Sequence, residues 1–258
     1  MPERTSHAPG TISWADLATS DQAAAKEFYG GLFGWEYDDV PAGEGIVYSM
    51  AKHGGRSAAA ISPQQAGEAA QGIPPHWNVY VTVADVEAAT AKVGEAGGQV
   101  FAGAFDVFDA GRMSVIADPT GAALCLWQPG TSIGAEVVNE PGALTWADTA
   151  TPDASAAQAF YADLLGWRFE SVSEQPPYWV IFDGERSQGG MTVPPPGVPP
   201  NWFPYFAVAD VEATAKAAEA AGGQPFMGPV DVPNGGRFVL LRDPQGATFA
   251  ILQGEYDD

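Results

Sequence analysis

The chain repeats itself, and this constrains its fold more than any other feature. Gly10–Val40 reads GTISWADLATSDQAAAKEFYGGLFGWEYDDV, and Gly142–Val172 reads GALTWADTATPDASAAQAFYADLLGWRFESV. About half the positions are identical at an offset of 132, and the shared frame is W-A-D, A-T-x-D, F-Y and L-x-G-W. A second block recurs at an offset of 125. HWNVYVTVADVEAATAKVGEAGGQVF with DVFDAGRMSVIADPTGA lies within 76–122, and NWFPYFAVADVEATAKAAEAAGGQPF with DVPNGGRFVLLRDPQGA lies within 201–247. Repeats of this length in the same order mark one architecture used twice. They divide the 258 residues into a first half, 1–133, a linker, 134–141, and a second half, 142–258.

Each half has its own internal rhythm. Thr11–Leu17 alternates as a strand does, Asp21 stands where a helix cap belongs, and Gln22–Leu32 is Ala-rich and helical up to Gly34. Short strands follow near 35–37, 46–50 and 57–61. The pattern then restarts with a strand at Trp77–Val83, a helix at Asp85–Ala96 ended by Gly97–Gly98, and strands near 99–106, 111–117 and 122–128. Asp118–Gly121 is a turn between the last two. Each half therefore reads strand–helix–strand–strand–strand twice, which makes the fold class α+β.

Composition excludes several partners. Eleven Lys and Arg against 32 Asp and Glu give a net charge of −21. With no basic run to offset it, this disfavours nucleic acid and anionic membranes. No apolar run approaches the roughly 20 residues of a membrane span, and the first ten residues lack a signal-peptide core. One cysteine makes neither an internal disulfide nor a thiolate zinc site. The expected location is cytoplasmic. Only His7, His53 and His76 are available to a site built from imidazoles.

The strand–helix–strands unit, the F-Y and L-x-G-W pair, the V-A-D-V-E opening and the D-P-x-G-A ending together resemble the vicinal oxygen chelate superfamily. That superfamily holds glyoxalase I, extradiol dioxygenases, fosfomycin resistance proteins and bleomycin-binding proteins. The resemblance covers about residues 10–253. It is strongest to tandem glyoxalase-like proteins of actinobacterial type, among them a mycobacterial antigen and hydroxylase-labelled proteins near antibiotic gene clusters. It implies two tandem glyoxalase-like domains, each a pair of βαβββ units whose mixed sheets curl into a cup for a small ligand. It leaves open whether units one and two pair, or units one and four.

In metal-using members of the superfamily, a His, Gln or Glu on the first strand of a unit and a Glu on its last strand hold a divalent ion. The corresponding positions here are Trp14 and Trp146, near Asn78 and near Phe203, near Ala60 and near Met191, and Cys125 and Ala250. None is a His or Glu, and indole, phenyl and methyl groups do not coordinate these metals. His76 is the nearest substitute, and one His is not a chelate. The expectation is therefore no cofactor. A divalent metal would need a different sheet pairing that uses Asp16, Asp148 or Glu residues elsewhere.

Residues two apart on a strand share a face. The expected ligand-binding residues are Trp14, Asn78, Tyr80, Cys125 and Trp127 in one cup. In the other they are Trp146, Phe203, Tyr205 and Ala250. Such walls suit a flat, apolar or weakly polar molecule; the same aromatics also read as ordinary core. No catalytic residue is assigned. Asp16 and Asp148 read more naturally as strand-end helix caps than as bases. Cys125 reads as a buried apolar thiol. Arg112 and Arg237 read as hairpin partners of Asp106 and Asp231. Val193–Pro200 (VPPPGVPP) is a semi-rigid lid or spacer.

The expected function is metal-free binding of a small aromatic or apolar molecule by a monomer or weak homodimer. The role would be sequestration, resistance or an accessory step in secondary metabolism. The alternatives are a glyoxalase-type metal-dependent lyase or dioxygenase, a metal-free enzyme using Asp16, Asp148 or a Tyr, and a plugged scaffold acting through its surface.

Overall fold

The computed structural model describes residues 4–43, 45–232 and 236–255. The first half runs β1 (Ile12–Thr19), α1 (Gln22–Phe33), β2 (Glu36–Pro41), β3 (Val47–His53), β4 (Arg56–Pro63), α2 (Ala66–Ala70), β5 (His76–Thr82), α3 (Val86–Lys92), β6 (Gln99–Val107), β7 (Gly111–Ala117) and β8 (Ala123–Pro129). The second runs β9 (Leu144–Ala150), α4 (Ala154–Leu165), β10 (Arg168–Glu174), β11 (Pro177–Asp183), β12 (Arg186–Thr192), β13 (Asn201–Ala207), α5 (Val211–Ala220), β14 (Gln224–Asp231), β15 (Arg237–Arg242) and β16 (Thr248–Gln253).

Two eight-stranded sheets result, ordered β2-β3-β4-β1-β5-β8-β7-β6 and β10-β11-β12-β9-β13-β16-β15-β14. Units one and two share the first sheet and units three and four the second, which answers the pairing question. Each seam is an antiparallel pair of first strands: Trp14 lies opposite Tyr80 and Asp16 opposite Asn78 in one, and Trp146 opposite Tyr205 and Asp148 opposite Phe203 in the other.

The helix boundaries follow local chemistry. Asp21 and Asp153 accept from Ala24 N and Ala156 N at the starts of α1 and α4, and Gly34 and Gly166 end them in the left-handed region. Asp85 and Asp210 cap α3 and α5 in the same way. Asp16 and Asp148 cap nothing, contrary to the sequence reading. They lie inside their strands, five residues before the true caps, and both are buried.

Strand alternation divides the core. Ala15, Leu17, Trp77, Val79 and Val81 face one continuous core that also takes Ala147, Trp202, Phe206, Phe249 and the inner sides of the helices. The opposite faces carry the two smaller clusters that form the cups. The F-Y and G-W motifs belong to the shared core. Trp35 donates its indole N–H to Gly142 O at 2.7 Å, and Trp167 donates to Gly10 O at 2.7 Å, each in the other half. Gly98 and Gly223 lie directly under Phe160 and Phe28 of the opposite half, where a Cβ would meet ring carbons at 2.5 and 3.0 Å.

Candidate functional site

The first cup is built from alternate residues of its central strands. Trp14, Tyr80, Ala60, Cys125 and Trp127 form one buried cluster, with Tyr48, Met50, Met113 and Val115 packed against it. The second gathers Phe203, Tyr205, Leu240, Ala250 and Ala150, with Trp146, Phe238 and Leu252 against them. All the sequence-predicted site residues therefore sit in the two cups, Asn78 through its place opposite Asp16.

The sequence reading missed the centre of each cup. Asp16 Oδ2 accepts from the hydroxyls of Tyr80 at 2.7 Å and Tyr48 at 2.9 Å, while Asp16 Oδ1 accepts from Asn78 Nδ2 at 2.9 Å. Trp14 Nε1 donates to the Tyr48 hydroxyl at 3.0 Å. In the second cup Asp148 Oδ2 accepts from Tyr205 at 2.7 Å, and Oδ1 accepts from Tyr178 at 2.9 Å and from Trp146 Nε1 at 2.8 Å. Burial pushes both carboxyls up against these hydrogen bonds. Burial, and then the neighbouring carboxylate, push the four tyrosines well above the usual phenol range. Tyr48 and Tyr178 are the second residues of β3 and β11. Their surroundings, IVYSM and PPYWV, share too little for the repeat to reveal them, although tyrosine recurs at an offset of 130.

The register corrects one position. Asp16 lies opposite Ala60, and Asp148 opposite Gly190, so Gly190 rather than Met191 corresponds to Ala60. Met191 faces the shared core. Any side chain at Gly190 would run into the Tyr178 hydroxyl and the Asp148 carboxylate.

The first cup has a cover. The segment after β8 crosses its rim, where Trp127 Nε1 donates to Ser132 O at 3.1 Å, Ala135 N donates to Ser13 O at 2.8 Å, and Ala135 and Val138 join the cup's apolar cluster. Between this segment, Arg4, Thr5, Met50 and Ser57 lies a cavity of about 410 Å³.

Cys125 is buried and free, and burial pushes its thiol up, which suits an inert side chain. Arg112 and Arg237 reach their hairpin partners, with Nε 2.7 Å from Asp106 Oδ1 and 2.6 Å from Asp231 Oδ1. Neither approach is aligned as a hydrogen bond, since both Nε atoms lack a hydrogen-bond partner.

Two eight-stranded sheets of two units each, each curled around a buried carboxyl, define a tandem cup protein of βαβββ units. The chain belongs to the Glyoxalase/Bleomycin resistance protein/Dioxygenase superfamily, whose family model matches residues 11–126 and 143–251. It is 50% identical to "Putative glyoxylase CFP32" of Mycobacterium tuberculosis (strain CDC 1551 / Oshkosh) over 98% of both chains. It is 36% identical to "Anthracycline biosynthesis protein DauV" of Streptomyces sp. (strain C5), covering 96% of this chain and 95% of that one. Among solved structures it resembles the Mn(II)-bound glyoxalase of Novosphingobium aromaticivorans, with a TM-score of 0.66, 14% identity, and 97% and 85% of the two chains covered. It also resembles the 2,3-dioxygenase LapB of Pseudomonas sp. KL28, with a TM-score of 0.66, 16% identity, and 95% and 92% covered. At these identities the structural likeness concerns the fold.

The donors of this chain do not fit a divalent ion at the family's position. The first cup offers Trp14, Ala60, Asn78 and Cys125 there, and the second offers Trp146, Gly190, Phe203 and Ala250. Among the described residues no three His, Cys, Asp or Glu side chains are grouped to hold a metal. Nor is any described helix long and apolar enough to cross a membrane.

Proposed function

We propose that the protein binds a small, flat, aromatic molecule without a metal, with the cups as its sites. The observation that carries this reading is the exchange of the metal-donor set for indole, methyl, amide and thiol groups around a buried carboxyl that gathers tyrosine hydroxyls. Aromatic walls stack on planar ligands, and a few convergent polar groups fix their orientation. The carboxyl and its phenols would read a hydroxyl or carbonyl on the ligand edge. A relative named for anthracycline biosynthesis supports a polycyclic aromatic polyketide as the ligand class.

Equilibrium dialysis against a panel of planar polyketides tests the reading. Saturable binding that weakens in Trp14→Ala or Trp146→Ala is expected. No occupancy by any member of the panel would overturn it.

A further inference from the structure

Each sheet ends in two edge strands, β2 and β6 in the first and β10 and β14 in the second. An edge strand offers unpaired backbone groups to any other strand, and charge or proline on the edge blocks that pairing. β2 carries Glu36, Asp38, Asp39 and Pro41, and β10 carries Arg168, Glu170 and Glu174. β14 carries Pro225 and Pro229. β6 has no proline and a single charge, Asp106, which stands 2.7 Å from Arg112 Nε.

The β6 edge is instead apolar and open. Phe101 and Phe105 are 59% and 43% exposed, and Phe108 in the turn that follows is 72% exposed. The internal repeat sharpens the contrast. At the offset of 125, Val100 and Ala104 correspond to Pro225 and Pro229, and Phe105 corresponds to Val230. Both strands bulge against their inner neighbours, so the prolines and not the bulges separate them.

The sequence of β6 says what can cover it. Phe101-Ala102-Gly103-Ala104-Phe105 reads the same in both directions, and Gly103 is the middle residue of the nine-residue strand. A two-fold axis at Gly103 therefore sets Phe101 of each copy opposite Phe105 of the other, with only small residues between the two aromatic pairs. Aromatic pairs directly opposite one another stabilise antiparallel strands. Charge selects the same partner. A chain of −21 repels a second copy over most of its surface, and at β6 the two copies meet with least charge. A basic partner would find three acids on β2 and only the paired Asp106 on β6.

We propose that the protein forms a two-fold homodimer by antiparallel pairing of β6 with β6 of a second copy, centred on Gly103, which joins the two first-half sheets into one continuous sheet. The same patch serves both copies, so the contact closes on itself and does not propagate. A strand of this length runs about 30 Å. Such an edge with its aromatic rings lies near about 1,000 Å2, the lower limit of a specific interface. The dimer is therefore weak and depends on concentration. β14 and the second-half sheet stay outside it.

Sedimentation equilibrium of the full chain from about 5 to about 500 μM tests this. The wild-type mass should rise from that of one chain toward that of two. Gly103→Lys sets two like charges face to face, at a position where a Cβ meets nothing within 4 Å. It should stay monomeric with an unchanged thermal midpoint. Phe226→Lys, at the matching exposed position of β14, should dimerise as wild type does. Gly103→Cys should close into a disulfide-linked dimer under mild oxidation. Directly opposed Cα atoms lie about 4.5–5.5 Å apart, within disulfide reach, and the native Cys125 is buried. A wild type that stays monomeric over the whole range would overturn the proposal. So would a dimer that Gly103→Lys leaves intact, or one that Gly103→Cys does not crosslink, since either places the contact elsewhere or in another register.

Discussion

Tyr29 of the first half donates its hydroxyl to Asp243 Oδ2 of the second at 3.0 Å, and receives the Trp77 indole N–H at 3.1 Å. Tyr161 repeats this toward Asp118 at 3.0 Å, with Trp202 behind it at 2.8 Å. Both aspartates also close their own D-P-x-G turns, taking backbone N–H groups on Oδ1. One carboxylate thus holds a turn and the opposite half together. Removing the Tyr29 hydroxyl leaves Asp243 and Trp77 each short of a buried partner, so Tyr29→Phe should cost about 1–3 kcal/mol. Urea denaturation reads this directly. Both halves should still unfold in one transition, since they share one core. An unchanged midpoint would remove Tyr29 from the interface account.

Gly190 and Ala60 occupy matching places, but in the second cup the Tyr178 hydroxyl and the Asp148 carboxylate stand where a Cβ would be. Gly190→Ala should therefore force the Tyr178 hydroxyl and Asp148 apart and lower stability by more than about 2 kcal/mol. Ala60→Gly, which merely loosens a strand, should cost about 1 kcal/mol or less. Thermal unfolding of the two variants side by side checks the asymmetry.

Much of this was legible in the sequence, because the repeat and strand alternation are local signals. The family resemblance marks Trp14, Asn78 and Cys125, and counting in twos along their strands adds Tyr80 and Trp127. The carboxyls were harder to place. Asp16 precedes the helix and resembles a cap, although Asp21 also stands at the helix start in the sequence, and the structure gives that role to Asp21 alone. Tyr48 and Tyr178 arrive from strands whose register depends on turns of different length in the two halves, 42–46 against 175–176, so no spacing from Asp16 or Asp148 announces them. The same dependence put Met191 where Gly190 belongs. The F-Y and D-P-x-G motifs were visible as motifs, but their meeting across the two halves is a tertiary fact.

The buried carboxyls give stability a definite pH dependence. Asp16 and Asp148 have folded-state pKa values above the unfolded value of about 3.9. The folded chain therefore binds more protons, and their contribution is fully present below the unfolded pKa and lost as pH rises through the folded one. Replacing Asp16 with Asn removes that loss. Measured by urea titration from about pH 4 to about pH 7, the variant should gain on wild type as pH rises. A wild-type advantage that grows with pH would contradict the assigned direction.

The central claim is that the cups need no metal to bind a planar aromatic molecule. The most direct measurement is a tryptophan-fluorescence titration with a polycyclic polyketide, before and after exhaustive chelation and again after adding Mn(II) or Zn(II). The account predicts the same dissociation constant in all three states, within about twofold, since no donor set links the ligand to an ion. Binding that disappears on chelation and returns with the metal would contradict it.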